Sequence, residues 1–194
     1  MTGGLEIIPF TKAKLENNEE GKDCRMDVLD AIFTRKSIRK FTGEQVSEEN
    51  LKTILKAGFS APSAHNYRPQ HFVVVRENAT LEAIANFHPY GKMLPGAGCG
   101  IIVCGDTEKQ NSIGFLVEDC SASIQNMLLA AHGLGLGAVW CGLYPVTELT
   151  EPMAKLLKLP ETVIPVGIIA LGQRAQDREA ADRYEEDKVH LEEW

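Results

Sequence analysis

The sequence predicts an α+β fold, a single sheet with helices packed around it, and three observations carry that prediction. Short β-branched runs occur at residues 72–75, 101–104 and 163–171, and a further one begins at Val139 and Trp140. Segments with helical spacing separate them, so strands and helices alternate, but the helices outweigh the strands. The nearly uncharged stretch 120–136 carries Ile124, Met127, Leu128, Leu129, Ala130 and Ala131. Apolar residues on most faces mean a helix buried all round, at a domain centre or a subunit interface.

The elements follow in order. Residues 1–25 are apolar at 5–10 and charged without a hydrophobic period at 12–22, which reads as an N-terminal extension, flexible or irregular. From Met26, Val28, Leu29, Ile32 and Phe33 recur at helical spacing, and a basic run closes that helix. Ser47 is an N-cap, with Glu48 and Glu49 where the helix dipole favours anions. Leu51, Ile54, Leu55 and Gly58 mark the buried stripe of the helix that follows. Gly133, Gly135 and Gly137 end the 120–136 helix. Their order is helix, glycines, strand, whereas a dinucleotide fingerprint needs strand, glycines, helix, so they are helix terminators.

Composition bounds the function. The chain has 194 residues, 44% hydrophobic and 24% charged, with a formal net charge of -7. That is one ordinary globular domain, 26–194, after the N-terminal extension. The acidic balance argues against a nucleic-acid or anionic-membrane partner, because phosphate backbones need a basic face. No segment approaches the roughly 20 apolar residues of a membrane span, and the N-terminus lacks a secretory signal. Five cysteines at 24, 99, 104, 120 and 141 form no CxxC pair and no zinc spacing, so reduced thiols and a cytoplasmic location are expected, without a metal.

Three segments carry chemistry. Residues 35–41 hold four cations and a hydroxyl, a concentration of positive charge in an acidic protein that suits an anion. Arg35, Ser37 and Arg39 alternate, so in extended backbone they share one side, with Lys36 and Ile38 on the other. Guanidinium forks hold phosphate by paired, charge-assisted hydrogen bonds. Residues 61–70 contain Pro62, Ser63, Ala64, His65 and Asn66, a stiff loop of small residues that lets backbone approach a flat ligand. Residues 140–145 follow a strand with Trp140, Cys141, Gly142 and Leu143; Gly142 permits close backbone approach, so that an N–H could face a ring nitrogen of a planar cofactor.

In that order and spacing the segments resemble the FMN-dependent nitroreductase family, from about residue 26 to the C-terminus. The resemblance rests on the motifs at 35–41, 61–66, 119–132 and 135–140 and on the tail 182–190. It implies a nitroreductase-like fold with a mostly antiparallel central sheet, an intertwined homodimer, and tightly but non-covalently bound FMN at the dimer interface. Arg35, Ser37 and Arg39 would hold the phosphate and ribityl chain, with Lys36 near the ring and Arg183 returning from the tail. Pro62, Ser63, Ala64, His65 and Asn66 would reach the flavin from the other subunit. Trp140, Cys141, Gly142 and Leu143 would lie against the ring with a backbone amide facing its reactive nitrogen, and Lys92 would reach its carbonyl edge.

The implied activity is ping-pong reduction of nitro compounds, quinones or similar electron-poor acceptors by NADH or NADPH. The flavin carries the chemistry and the protein supplies orientation and electrostatics, which accounts for a sequence without a catalytic triad or acid–base pair. Other readings on the same residues are a flavin-binding redox sensor without turnover, a flavin-dependent dehalogenase or flavin-converting enzyme on the same fold, and an anion-binding domain without flavin. Departures from the family lie at Arg68, Pro69 and Gln70, and in the absence of a carboxylate at 141–144.

Overall fold

A computed structural model describes residues 26–177 and 179–194; the expectation for residues 1–25 lies outside that range. The helices are α1 (Val28–Thr34), α2 (Glu48–Phe59), α3 (Asn78–Phe87), α4 (Ile113–Gly133) and α5 (Thr147–Leu157). The strands are β1 (Gln70–Val75), β2 (Cys99–Asp106), β3 (Gly137–Gly142) and β4 (Val163–Gly172). They form one sheet in the order β1-β2-β4-β3, every named pair antiparallel. The α+β expectation holds, and all four strands lie where the β-branched runs place them. Among the described residues no helix is long and apolar enough to cross a membrane.

The two-residue period of the strands divides the core. Ile101, Val103, Ile169 and Leu171 face α2 and α4, packing with Ile54, Ile124 and Met127. Ile102, Cys104, Ile168 and Ala170 face the other way and pack with Leu81 and Ile84 of α3 and Met153 of α5. The Ser47 side chain caps α2 by accepting from Asn50 N–H at 3.2 Å. Gly58 lets α2 lie close against the core: a Cβ there would stand 2.8 Å from the Phe72 ring and 2.9 Å from Met127 Sδ. Between Val103 and Cys104 the β2–β4 register shifts, because Cys104 pairs with Pro165 and leaves Val166 as the extra residue.

Two details differ from the sequence reading. The central helix starts at Ile113 rather than at Cys120, since Leu116 and Val117 continue its buried side ahead of the charged pair Glu118 and Asp119. It ends in a Schellman motif built on one of the three glycines. Gly135 has φ +76°, its N–H bonds His132 O at 2.9 Å, and Leu136 N–H bonds Ala131 O at 2.8 Å. Helix α1 is also only half explained by the chain's own core, because Ala31 is buried while Val28, Leu29 and Ile32 are 45–64% exposed.

Burial pushes the Cys99 thiol up to about 11 and those of Cys104 and Cys120 to about 12. The folded chain therefore holds these protons more tightly than the unfolded chain, whose thiols titrate near 9. The stability they contribute is complete below that pH and is lost as pH rises toward 11–12. Urea midpoints at fixed protein concentration should fall across this window, and less steeply for C120A; equal slopes for the two proteins would contradict the assignment.

Candidate functional site

The basic segment is fastened along the edge of the sheet. Ile38 N–H donates to Ala138 O at 3.0 Å in a parallel bridge beside β3, and Thr42 N–H donates to Gln173 O at 3.1 Å just past β4. Ala175 N–H returns to Lys40 O at 2.9 Å. Ile38 is pinned into the core at 3% exposure, and a Cβ on Gly137 would meet it at 2.7 Å. The extended backbone the sequence suggested is thus present, with Ile38 inward and Arg39 exposed.

Around this segment the cations converge. Burial and, secondarily, the Arg183 guanidinium both press the Arg35 side chain toward losing its proton. Its Nε is buried and has no hydrogen-bond partner. The His132 imidazole, at the C-terminal end of α4, is held below its ordinary value by burial, then by Arg174, Lys36 and Arg35, with Asp177 opposing. Lys36 Nζ lies 3.6 Å from Asp177. Arg174 Nε donates to Gly135 O at 3.0 Å. Arg35, Lys36, Arg174 and Arg183 thus share one neighbourhood with a buried, unsatisfied guanidinium nitrogen at its centre. The partly buried Arg35 guanidinium beside that of Arg183 favours an anion close to it, and a phosphate fits that donor set.

A second group lies toward the end of β3. Trp140 is 38% exposed, and Gly167 makes room for it, because a Cβ there would meet Trp140 Nε1 at 2.4 Å. Cys141 is buried; burial raises its thiol while Arg39 opposes that rise, so Arg39 stands near this strand. Gly142 is exposed, with open space where a Cβ would be. Leu143 is fully buried, and its N–H and that of Tyr144 both reach the carbonyl of the bulge residue Val166, at 3.1 and 3.2 Å. Lys92 Nζ donates to Ala85 O at 2.8 Å, near the C-terminal end of α3.

The third group is the loop between α2 and β1. His65, Asn66 and Arg68 have φ of 54°, 57° and 47°, a left-handed backbone that side chains adopt at a cost of roughly 1–3 kcal/mol each. The loop is held by Ala64 N–H on Asp119 Oδ1 at 2.8 Å and Arg68 N–H on Ser63 Oγ at 3.0 Å. Asp119 belongs to α4 and is 6% exposed. Pro62, His65 and Asn66 are exposed, and Ser63 and Ala64 half-buried.

One chain does not bring the three groups together. Asp119 and His132 sit on the same helix thirteen residues apart, about 20 Å at the helical rise. The Pro62–Asn66 loop is tied to the first and the cation cluster to the second. Arg174, His132 and Asp119 were not assigned from the sequence. Asp119 had a signal, a carboxylate at the head of an otherwise uncharged run. Arg174 had none, because its contacts depend on which chain segments meet.

A sheet covered by helices on both faces, with a cation cluster at its edge and a glycine-opened strand end beside it, agrees with the family that the sequence motifs resemble. The chain belongs to the Nitroreductase family, whose model matches residues 32–88 and 88–173. A protein of Methanothermobacter thermautotrophicus, provisionally named NADH dehydrogenase/NAD(P)H nitroreductase, is 48% identical over 175 residues, covering 90% of this chain and 92% of that one. A crystal structure of a protein with the same provisional name from Bacteroides thetaiotaomicron superposes with a TM-score of 0.83 at 42% identity, covering 86% of this chain and 98% of the other. A Desulfovibrio desulfuricans protein, provisionally named a nitroreductase and crystallised in complex with FMN, superposes with a TM-score of 0.75 at 36% identity over 86% and 97% of the two chains.

Asp119→Ala should leave the Ala64 N–H without its acceptor and loosen the left-handed loop, at a cost of about 1–3 kcal/mol. Hydrogen exchange of the 62–67 segment should quicken while that of β2 and β4 does not. Unchanged loop protection would show that Asp119 is not what holds it.

Proposed function

We propose that the protein is an NAD(P)H-dependent oxidoreductase that carries FMN and reduces nitro compounds, quinones or similar electron-poor acceptors in two alternating half-reactions. The observation that carries this reading is the buried, unpartnered Nε of Arg35 beside Arg183. The FMN bound to the Desulfovibrio relative and the NAD(P)H in the name of the Methanothermobacter relative support it. When bound, FMN supplies the redox chemistry, accepting hydride from the nicotinamide and passing electrons to the acceptor.

The chain's residues bind and orient. Arg35 and Arg183 take the phosphate, with Ser37 and Arg39 along the ribityl chain and Lys36 between cradle and ring. Trp140, Cys141, Gly142 and Leu143 form the strand end against which the ring lies, and Lys92 stands in the neighbouring turn. Cations near the ring favour the anionic reduced form. Pro62, Ser63, Ala64, His65 and Asn66 come from a second copy of the chain. The separation of about 20 Å along α4 supports a site completed by a partner subunit, and so do the outward Val28, Leu29 and Ile32 of α1. A cytoplasmic, homodimeric enzyme is the resulting picture.

Arg35→Ala should weaken FMN binding by about 1.5–3 kcal/mol, the value of a hydrogen bond to a charged group, measured by fluorescence titration of apoprotein with FMN. Unchanged affinity would remove Arg35 from the phosphate site. Purified protein should be yellow, bleach anaerobically with NADH or NADPH, and regain colour with a quinone or nitroaromatic. A yellow protein that stays oxidised would contradict the reductase reading. Sedimentation should give a dimer, and a monomer holding FMN would contradict the two-subunit site.

A further inference from the structure

His88 follows α3 directly and is 1% exposed. Both ring nitrogens are engaged. Nδ1 lies 3.2 Å from the Tyr90 backbone nitrogen, and Nε2 lies 2.9 Å from the Gly142 carbonyl oxygen. A backbone N–H can only donate and a carbonyl can only accept. Nδ1 is therefore the acceptor and Nε2 carries the hydrogen, a single neutral tautomer that satisfies both partners. The same turn makes a second tie, since Cys141 Sγ lies 3.3 Å from Tyr90 O. Gly91 N–H closes the turn on His88 O at 3.0 Å.

These contacts reach the strand end where Gly142 sits. Strand β3 is at the edge of the sheet, and Ala138 O points outward, because it accepts from Ile38. The two-residue repeat of a strand puts the N–H and C=O of Trp140 and Gly142 on that same outer edge. His88 takes the Gly142 carbonyl there. On the inner side the next N–H, of Leu143, is on Val166 O at 3.1 Å. The Gly142–Leu143 peptide is thus held at both poles. Its neighbour, the Gly142 N–H, is left at the open edge, where a Cβ on Gly142 would meet nothing within 4 Å. Glycine has the widest backbone freedom of any residue, so the direction of that N–H is set by its surroundings.

We propose that His88 is a positioning residue: by clamping the Gly142 carbonyl it aims the Gly142 N–H at the ring of the bound cofactor. The inference rests on the FMN reading above and adds to it the side chain that sets the geometry. Without the Nε2 donor the Gly142–Leu143 peptide keeps only the Leu143 N–H bond to Val166, so the glycine's dihedrals, and with them the direction of its N–H, are less fixed where charge changes during reduction.

The test compares wild type with H88M, which keeps bulk and loses the donor, and H88Q, which keeps an N–H donor. In H88M the FMN Kd should stay within about threefold of wild type, because the phosphate ligands act independently at a distance. Backbone exchange across 141–143 should quicken about tenfold or more. The visible spectrum of bound FMN should shift, and anaerobic reduction by NADH should slow roughly 10- to 100-fold. H88Q should restore spectrum and exchange toward wild type. An H88M protein that binds FMN with wild-type spectrum and exchange would overturn the proposal. Nitrogen NMR of the wild-type ring decides it even if H88M does not fold: an Nε2–H tautomer supports the clamp, and an Nδ1–H or doubly protonated ring overturns it. Failure of wild type to take up FMN on reconstitution would overturn the cofactor reading, while exchange and ring NMR on the FMN-free protein would still report on the clamp itself.

Discussion

Burial of α4 against the sheet is the constraint on which the other features depend. From Asp119 to His132 no residue of this helix is exposed, and Ile124, Met127 and Ala131 are fully covered by the sheet and α2. A helix so enclosed acts as a rigid strut. One end holds the Pro62–Asn66 loop through Asp119, and the other meets α1 where Thr34 Oγ1 stands 2.8 Å from His132 Nε2. The start of the basic segment at Arg35 is therefore fixed relative to the core before any ligand arrives. The length of the strut also keeps the loop and the cation cluster apart within one chain.

The electrostatics follow from where the positive charge is placed rather than from how much there is. The chain is acidic overall, with a net charge of -7, yet Arg35, Lys36, Arg174 and Arg183 share a neighbourhood with His132. Bringing like charges together and partly burying one of them is unfavourable without an anion. The fold sustains that arrangement because the backbone on both sides is locked into the sheet edge, at Ile38–Ala138 and at Thr42–Gln173. Acidic surface elsewhere leaves this cradle as the place where an anionic group is favoured.

Backbone groups define the strand end as much as side chains do. Pro165 interrupts the β2–β4 register, and the extra residue Val166 turns its carbonyl to Leu143 and Tyr144. Gly167 removes the side chain that would collide with Trp140. His88 and Tyr90 complete the enclosure from a turn more than fifty positions away in sequence. The strand end is in this way built from a bulge, two glycines and a buried imidazole.

Local rules made most of the fold legible in the sequence. The β-branched runs, the Ser47 cap, the Leu51–Gly58 stripe and the glycine stop after α4 each act within a few residues, where side-chain period and backbone preference decide the outcome. The charge of the 35–41 segment and the small residues of the 61–66 loop were legible for the same reason. The start of α4 was missed because Glu118 and Asp119 interrupt the uncharged run, and only tertiary contact through Leu116 shows that the buried face continues before them. The apolar residues of α1 were read only as a helical pattern, because periodicity tells which residues share a face and not what that face meets. Arg174 beside His132, and His88 on Gly142, were invisible because each joins segments distant in sequence. The sequence by itself determined which elements form and where positive charge is concentrated; only the tertiary structure decided which backbone groups those elements hold, since a hydrogen bond between distant segments is set by register and packing and by nothing local.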